Sequence, residues 1–241
     1  SHEVGKDSLA DNSTRRRKQK KLDIRVIVGN QPYSVGQESA NDNNANSEYL
    51  SLDETIRKTY AAFSIATNKN SLYNSYIRAI RWASDRIGES GVVGFVTSAG
   101  FVDANTADGM RKCLTEEFSS IYILHLRGNQ RTSGELSRIE GGKIFGAGSR
   151  SPIAISILVK NPKAEERGKI FFHDIGDYLS REEKLKKIVA FGSIEGIDKE
   201  SGWLPISPDK HNDWVGQRDS SFGDFVSIGD KKDANAIALF S

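Results

Sequence analysis

Two patterns in the sequence predict an α/β fold. Short apolar, β-branched runs recur along the chain, and between the early ones lie longer stretches whose apolar residues return every three or four positions. The resulting order, β-α-α-β-α-β-β-β, places helices between the first strands and strands side by side later, which predicts parallel crossovers with an antiparallel hairpin edge. With 241 residues, 37% of them hydrophobic, the chain is long enough to bury one sizeable core with an appendage.

Residues 1–22 are polar and end in the basic run Arg15 to Lys21, read as a solvated leader. Ile24 to Val28 is β-branched and apolar, the first strand. Residues 34–48 are rich in Gly, Asn and Ser and form a loop. Ser51 and Glu54 suggest a capping box, with Ile56, Tyr60 and Phe63 on one helical face. A second helix starts near Ser71, carries Leu72, Tyr76, Ile80, Ala83 and Ile87, and stops at Gly88. Val92 to Thr97 is a strand, and Met110, Leu114 and Phe118 mark the next helix. Ile121 to Leu126 is a strand, and Arg127 to Gly142 a polar loop. Pro152 to Lys160 and Lys169 to Ile175 read as two strands joined by a turn at Asn161-Pro162. Ser180 and Glu183 cap a last helix ending near Val189, and beyond Phe191 the periodicity breaks up.

Composition excludes several classes. The net charge of +2 is no polycation, so affinity for nucleic acid has to come from local patches. The lone Cys113 permits no intrachain disulfide and no thiolate metal cluster, and the four scattered His show no ligand spacing, so no metal is expected. No apolar run is long enough to span a bilayer and the start of the chain is unlike a signal peptide, so a reducing cytoplasm is the expected compartment. No GxxxxGK[S/T] loop is present, so no ATPase motor lies in these residues.

The first strand runs into Asn30-Gln31-Pro32-Tyr33. Ligands of open α/β sheets bind at the carboxyl ends of strands. There an amide oxygen and a neighbouring backbone carbonyl can accept the two hydrogens of an exocyclic amine, with proline fixing their aim. An aromatic ring beside them offers a stacking face worth about 1–3 kcal/mol per base. Two acceptors and a ring suit an amino-bearing purine taken out of the duplex, and they raise electron density on its amine for attack on an electrophilic methyl.

These residues resemble the strand-Asn-Pro-Pro-Tyr motif of amino-methylating DNA methyltransferases. "GVVGFVTSAGFVDANTADGMRKCL" (91–114) and "GGKIFGAGSRSPIAISILVK" (141–160) resemble that family's following segments. The Asn-rich loop, "NKNSLYNSYIRAIRWASDRI" and "LSREEKL" are similar to the methyltransferase part of the large single-polypeptide type ISP restriction–modification enzymes, often labelled predicted helicases. The resemblance covers about residues 23–190. It implies the C-terminal part of a Rossmann-like S-adenosylmethionine-dependent sheet, incomplete here, acting on the N6 amine of a flipped adenine in double-stranded DNA.

Residue by residue, the resemblance implies that Asn30 accepts from the adenine amine and that Pro32, or the Gln31 carbonyl before it, is the second acceptor. It implies that Tyr33 stacks on the base, that Phe145 packs on its other side or edge, and that Thr97 and Ser98 line the pocket. Arg127, Arg131, Arg138, Lys143 and Arg150 flank the polar loop and are candidate phosphate contacts. The chain departs from the pattern twice. Gln31 replaces the first proline, keeping a carbonyl but adding an N–H and backbone freedom, so a looser pocket is expected. The Gly-rich cofactor loop is absent and is expected before residue 1, so this stretch alone is expected to bind cofactor poorly and to be inactive. ATP would enter only if the parent protein carries helicase motifs. The implied organisation is a leader (1–22), a partial catalytic domain (23–192), and a linker with the start of a target-recognition region (193–241). The alternatives are a degenerate module that holds DNA and transfers nothing, and an unrelated α/β domain with a chance motif.

Overall fold

The computed structural model describes residues 4–31, 49–146, 150–200, 202–216 and 218. Its elements run α1 (Val4–Lys21), β1 (Val26–Asn30), α2 (Leu50–Lys58), α3 (Tyr60–Phe63), α4 (Ser75–Arg86), β2 (Gly91–Ser98), α5 (Gly100–Asp103), α6 (Asp108–Glu117), β3 (Ser120–Arg127), α7 (Gly134–Glu140), β4 (Ile153–Lys160), β5 (Lys169–Asp174), α8 (Arg181–Phe191), α9 (Ile194–Glu200) and β6 (Leu204–Ile206).

The six strands form one mixed sheet in the order β1-β2-β4-β3-β5-β6. β1 is parallel to β2, β3 is parallel to β5, and both β2 and β3 are antiparallel to β4. Four strands therefore run one way, with β4 reversed in the middle and β6 reversed at the edge against β5. The α/β class stands, but the expected hairpin between the strands around Asn161-Pro162 does not form. β4 pairs on both flanks with β2 and β3, while β5 crosses to the far side of β3. The edge pair that does form, β5 with β6, involves residues past the point where periodicity fades. Three residues of "LPI" are too few to show alternation.

Other local expectations shift for stated reasons. The polar leader is helical, as α1, with three Lys in its last turn where cations favour the helix dipole. Arg86 holds its end through the carbonyls of Gln19 and Leu22. Ser51 and Glu54 do not make a capping box. Asp53 accepts from the Tyr49 N–H, and Glu54 turns to Arg57 and Lys58. The helix expected from Ser71 begins as a single 3₁₀ turn, Asn70–Tyr73, before Asn74 caps α4. Ser180 and Glu183 do form the reciprocal box that starts α8.

Alternation along the strands feeds two cores. Val93, Phe95, Ile121, Ile123, Ala154 and Leu158 pack with α2, α3, α4 and α6 on one side. Leu124, Leu126, Ile153 and Ile155, with Val96, pack with Ile175, Phe191 and Ile197 on the other. Gly109, at the start of α6, lets that helix lie against α3: a Cβ there would sit 2.1 Å from the Tyr60 carbonyl oxygen. Trp214 joins the first core, edge-on to Phe101, and Arg111 clamps its segment by donating to the Asn212 carbonyl and to Asp213.

Candidate functional site

The carboxyl ends of the four like-directed strands gather along one edge of the sheet: Asn30, Ser98, Arg127 and Asp174. Strand β1 ends one turn of pleat later than Ile24–Val28 suggested, so Asn30 is its last residue and pairs with Val96. Side chains paired in parallel strands share a face. Asn30 thus lies on the Val96 side, with Val26 and Val28, and all three are exposed because α8 and α9 do not reach β1. Pro32, Tyr33 and the loop 34–48 lie outside the described residues.

The two residues expected to line the pocket separate. Thr97 shares the Phe95 side and is wholly buried, with its hydroxyl donating to the Ser98 carbonyl. Ser98 points to the Asn30 side, and its Oγ accepts from the Gly100 N–H at the start of α5. Phe145 is half-buried against the second core, the same side of the sheet as Asn30 and Ser98. Its position is built by α8. Lys184 donates to the carbonyls of Glu140 and Gly142, and Arg181 to that of Ile144, one residue before the ring. Burial pushes the Lys184 ammonium down to about 8. These two α8 cations escaped the sequence reading, since a helix with a capping box and charges reads as a solvated one.

Of the basic candidates, Arg127 is turned inward. A bulge between His125 and Arg127 and a left-handed φ of 55° re-aim it onto Asp174 (2.6 Å) and Asp177 (2.8 Å). Burial alone would push the Asp174 carboxyl up, but His125, Arg127 and the Gly176 N–H hold it well below the usual carboxylate range. Arg138 pairs with Glu135. Arg131, Lys143 and Arg150 are exposed around the same loop, with Arg150 reaching the Gln130 carbonyl. Beside Arg127 a cavity of about 320 Å³ is lined by Asp103, His125, Glu140, Phe172 and Asp174. Its carboxylates disfavour a phosphate. His173, in β5, lies 3.0 Å through Nδ1 from the Gly202 carbonyl oxygen. Cys113 is a buried free thiol in α6.

Among the described residues no group of His, Cys, Asp and Glu could hold a metal ion, and no helix is long and apolar enough to cross a membrane. Nor do they form the strand, Gly-rich turn and helix that would seat S-adenosylmethionine. The edge as built can accept hydrogen bonds from an amine at Asn30, cover a flat group with Phe145, and present cations on its rim.

No protein-family model and no curated protein matches the chain. Solved structures do. The chain is similar to the ATP-dependent type ISP restriction–modification enzyme LlaBIII bound to DNA, at 40% identity and a TM-score of 0.84 over 93% of this chain and 15% of that one. It is similar to a nuclease-deletion mutant of the type ISP enzyme LlaGI with a DNA substrate mimic, at 45% identity and a TM-score of 0.83 over 95% of this chain and 21% of that one. It is also similar to DrdV in its DNA complex, at 38% identity and a TM-score of 0.77 over 88% of this chain and 20% of that one. The chain thus spans between about a seventh and a fifth of the length of each.

Proposed function

Since this chain belongs to the type ISP restriction–modification family, we propose that it forms the target-base half of an adenine-specific DNA methyltransferase. The observation that carries the reading is the position of Asn30. It is the last residue of a strand at the carboxyl-end edge of the sheet, exposed, and on the same side of the sheet as Ser98 and Phe145.

In this reading the duplex yields one adenine from its stack, and the Asn30 side-chain oxygen accepts from the N6 amine. The Gln31 carbonyl, or that of Pro32, accepts the second hydrogen, and Tyr33 stacks on the ring. Phe145 closes the other side, held by the α8 cations that grip its loop. Acceptors aimed at both amine hydrogens favour the charge that develops on nitrogen as it attacks. Arg131, Lys143 and Arg150 hold phosphates and set the register of the strand. S-adenosylmethionine supplies the methyl group when bound. The described residues do not fit it, so we assign its seat to other parts of the polypeptide.

The test is methyl transfer to duplex DNA by the full-length polypeptide, read as N6-methyladenine. Asn30→Ala is expected to lower the rate by at least about 100-fold, the order seen when one aimed polar group is removed, with DNA affinity retained. Full activity in that variant would overturn the reading. Tight DNA binding with no transfer by the parent would favour the degenerate binding module instead.

A further inference from the structure

Gln31 stands where the resembled motif has proline, and the structure gives it two holds that a flexible residue would lack. Its backbone N–H donates to the Val96 carbonyl oxygen at 3.3 Å, one step beyond the last ladder pair, Asn30 with Val96. Proline has no N–H and could not make this bond. Its side chain folds back along the strand. Residues 29 and 31 face the same side, and Gln31 Nε2 lies 2.6 Å from the point where a Cβ on Gly29 would be. Phe95 Cε1 lies 3.2 Å from that same point. The Gln31 amide therefore lies across the bare Cα of Gly29, beside a buried aromatic ring of the first core. Gly29 has no positive φ, so the glycine answers to this side chain and not to the backbone.

We propose that Gln31 is the positioning residue of the amine-accepting pair, replacing the stiffness of proline with an extra ladder bond and an amide seated over Gly29. Asn30 then sits between two fixed neighbours, Gly29 in the ladder and Gln31 bonded to Val96. Its side chain faces the base on one side of the sheet while the Gln31 amide grips the other. The Gln31 carbonyl is aimed by hydrogen bonding where a proline would aim it by ring closure. This inference rests on the adenine-pocket reading above, and it reverses the expectation that glutamine loosens the pocket.

Steady-state methyl transfer by the full-length polypeptide tests it. Gly29→Ala intrudes first on the Gln31 amide, the movable end of a flexible side chain, and only then on the Phe95 ring, 3.2 Å from the new Cβ. Its kcat is expected to fall about tenfold, as a misplaced acceptor requires, with KM for DNA within about twofold of the parent. Gln31→Ala is expected to fall similarly. Gln31→Pro loses the Val96 bond but supplies its own fixed φ, so its kcat is expected to fall less than that of Gln31→Ala. The double variant Gly29→Ala, Gln31→Pro is expected to match Gln31→Pro alone, because proline does not reach back over residue 29. A purely structural role would lower every variant together and would show no such match. Parent-level kcat in both Gly29→Ala and Gln31→Ala would overturn the inference. So would rapid hydrogen exchange at the Gln31 amide in the parent, since the Val96 bond requires protection there. Failure of the adenine-pocket reading shows separately, as full transfer by Asn30→Ala.

Discussion

Arg127 directs its charge away from the face it borders. Held by Asp174 and Asp177 in a left-handed backbone, it tethers β3 to β5 and leaves little charge for a phosphate. Asp174 carries a pH signature. Its carboxyl is held below the usual 3.8, so the folded state favours the ionised form. The contribution is present in full above about pH 4 and is lost as pH falls from there toward the folded value. Asp174→Asn is expected to cost about 1–2 kcal/mol at neutral pH and to flatten the acid limb of a stability–pH curve, measured by denaturant unfolding. At this scale the sequence was readable where chemistry is local. Asn30 and Phe145 stand out by motif, and both reach the same side of the sheet. The partners of Arg127 were not readable, because the register pairing His125 with Asp174 brings together residues nearly fifty positions apart. Thr97 was misjudged because one step along a strand turns a side chain to the opposite face.

Among the elements, existence was legible and pairing was not. Every strand expected from an apolar run is present, and so are the main helices. Periodicity reports which face is buried, not which neighbour a strand takes, and so β4 was expected beside β5 in place of its seat between β2 and β3. The close approach of α6 to α3 was likewise invisible, since Gly109 in a helix reads only as a weak helix former. Gly109→Ala is expected to destabilise the fold by more than the approximately 1 kcal/mol typical of a point change, because the backbones of Tyr60 and Phe63 have to move. A thermal melt showing an unchanged midpoint would contradict this.

For the whole molecule, a net charge of +2 means that the proposed hold on DNA has to come from a few rim cations. If Arg131, Lys143 and Arg150 each neutralise one phosphate, replacing all three by Ala is expected to reduce the slope of log K against log salt by about 2 to 3. Arg127→Ala is expected to leave that slope unchanged, which separates it from the other three. Fluorescence anisotropy on a labelled duplex at several salt concentrations would measure both. The motif residue Asn30 does fall at a strand end, and the overall α/β class was legible from periodicity. How the chain beyond Phe191 returns to the sheet was not, since β6 is short and Trp214 is isolated in sequence from the core it enters.

The reversed central strand also constrains synthesis. β2 and β3 share no ladder; they are joined to each other only through β4, which ends at Lys160. As the chain leaves the ribosome, β1 and β2 can meet early, but roughly sixty residues more must be translated before the middle of the sheet can zip. Through that interval the apolar flank of β2 waits without its partner, which makes this the stretch of biosynthesis where a chaperone would matter most.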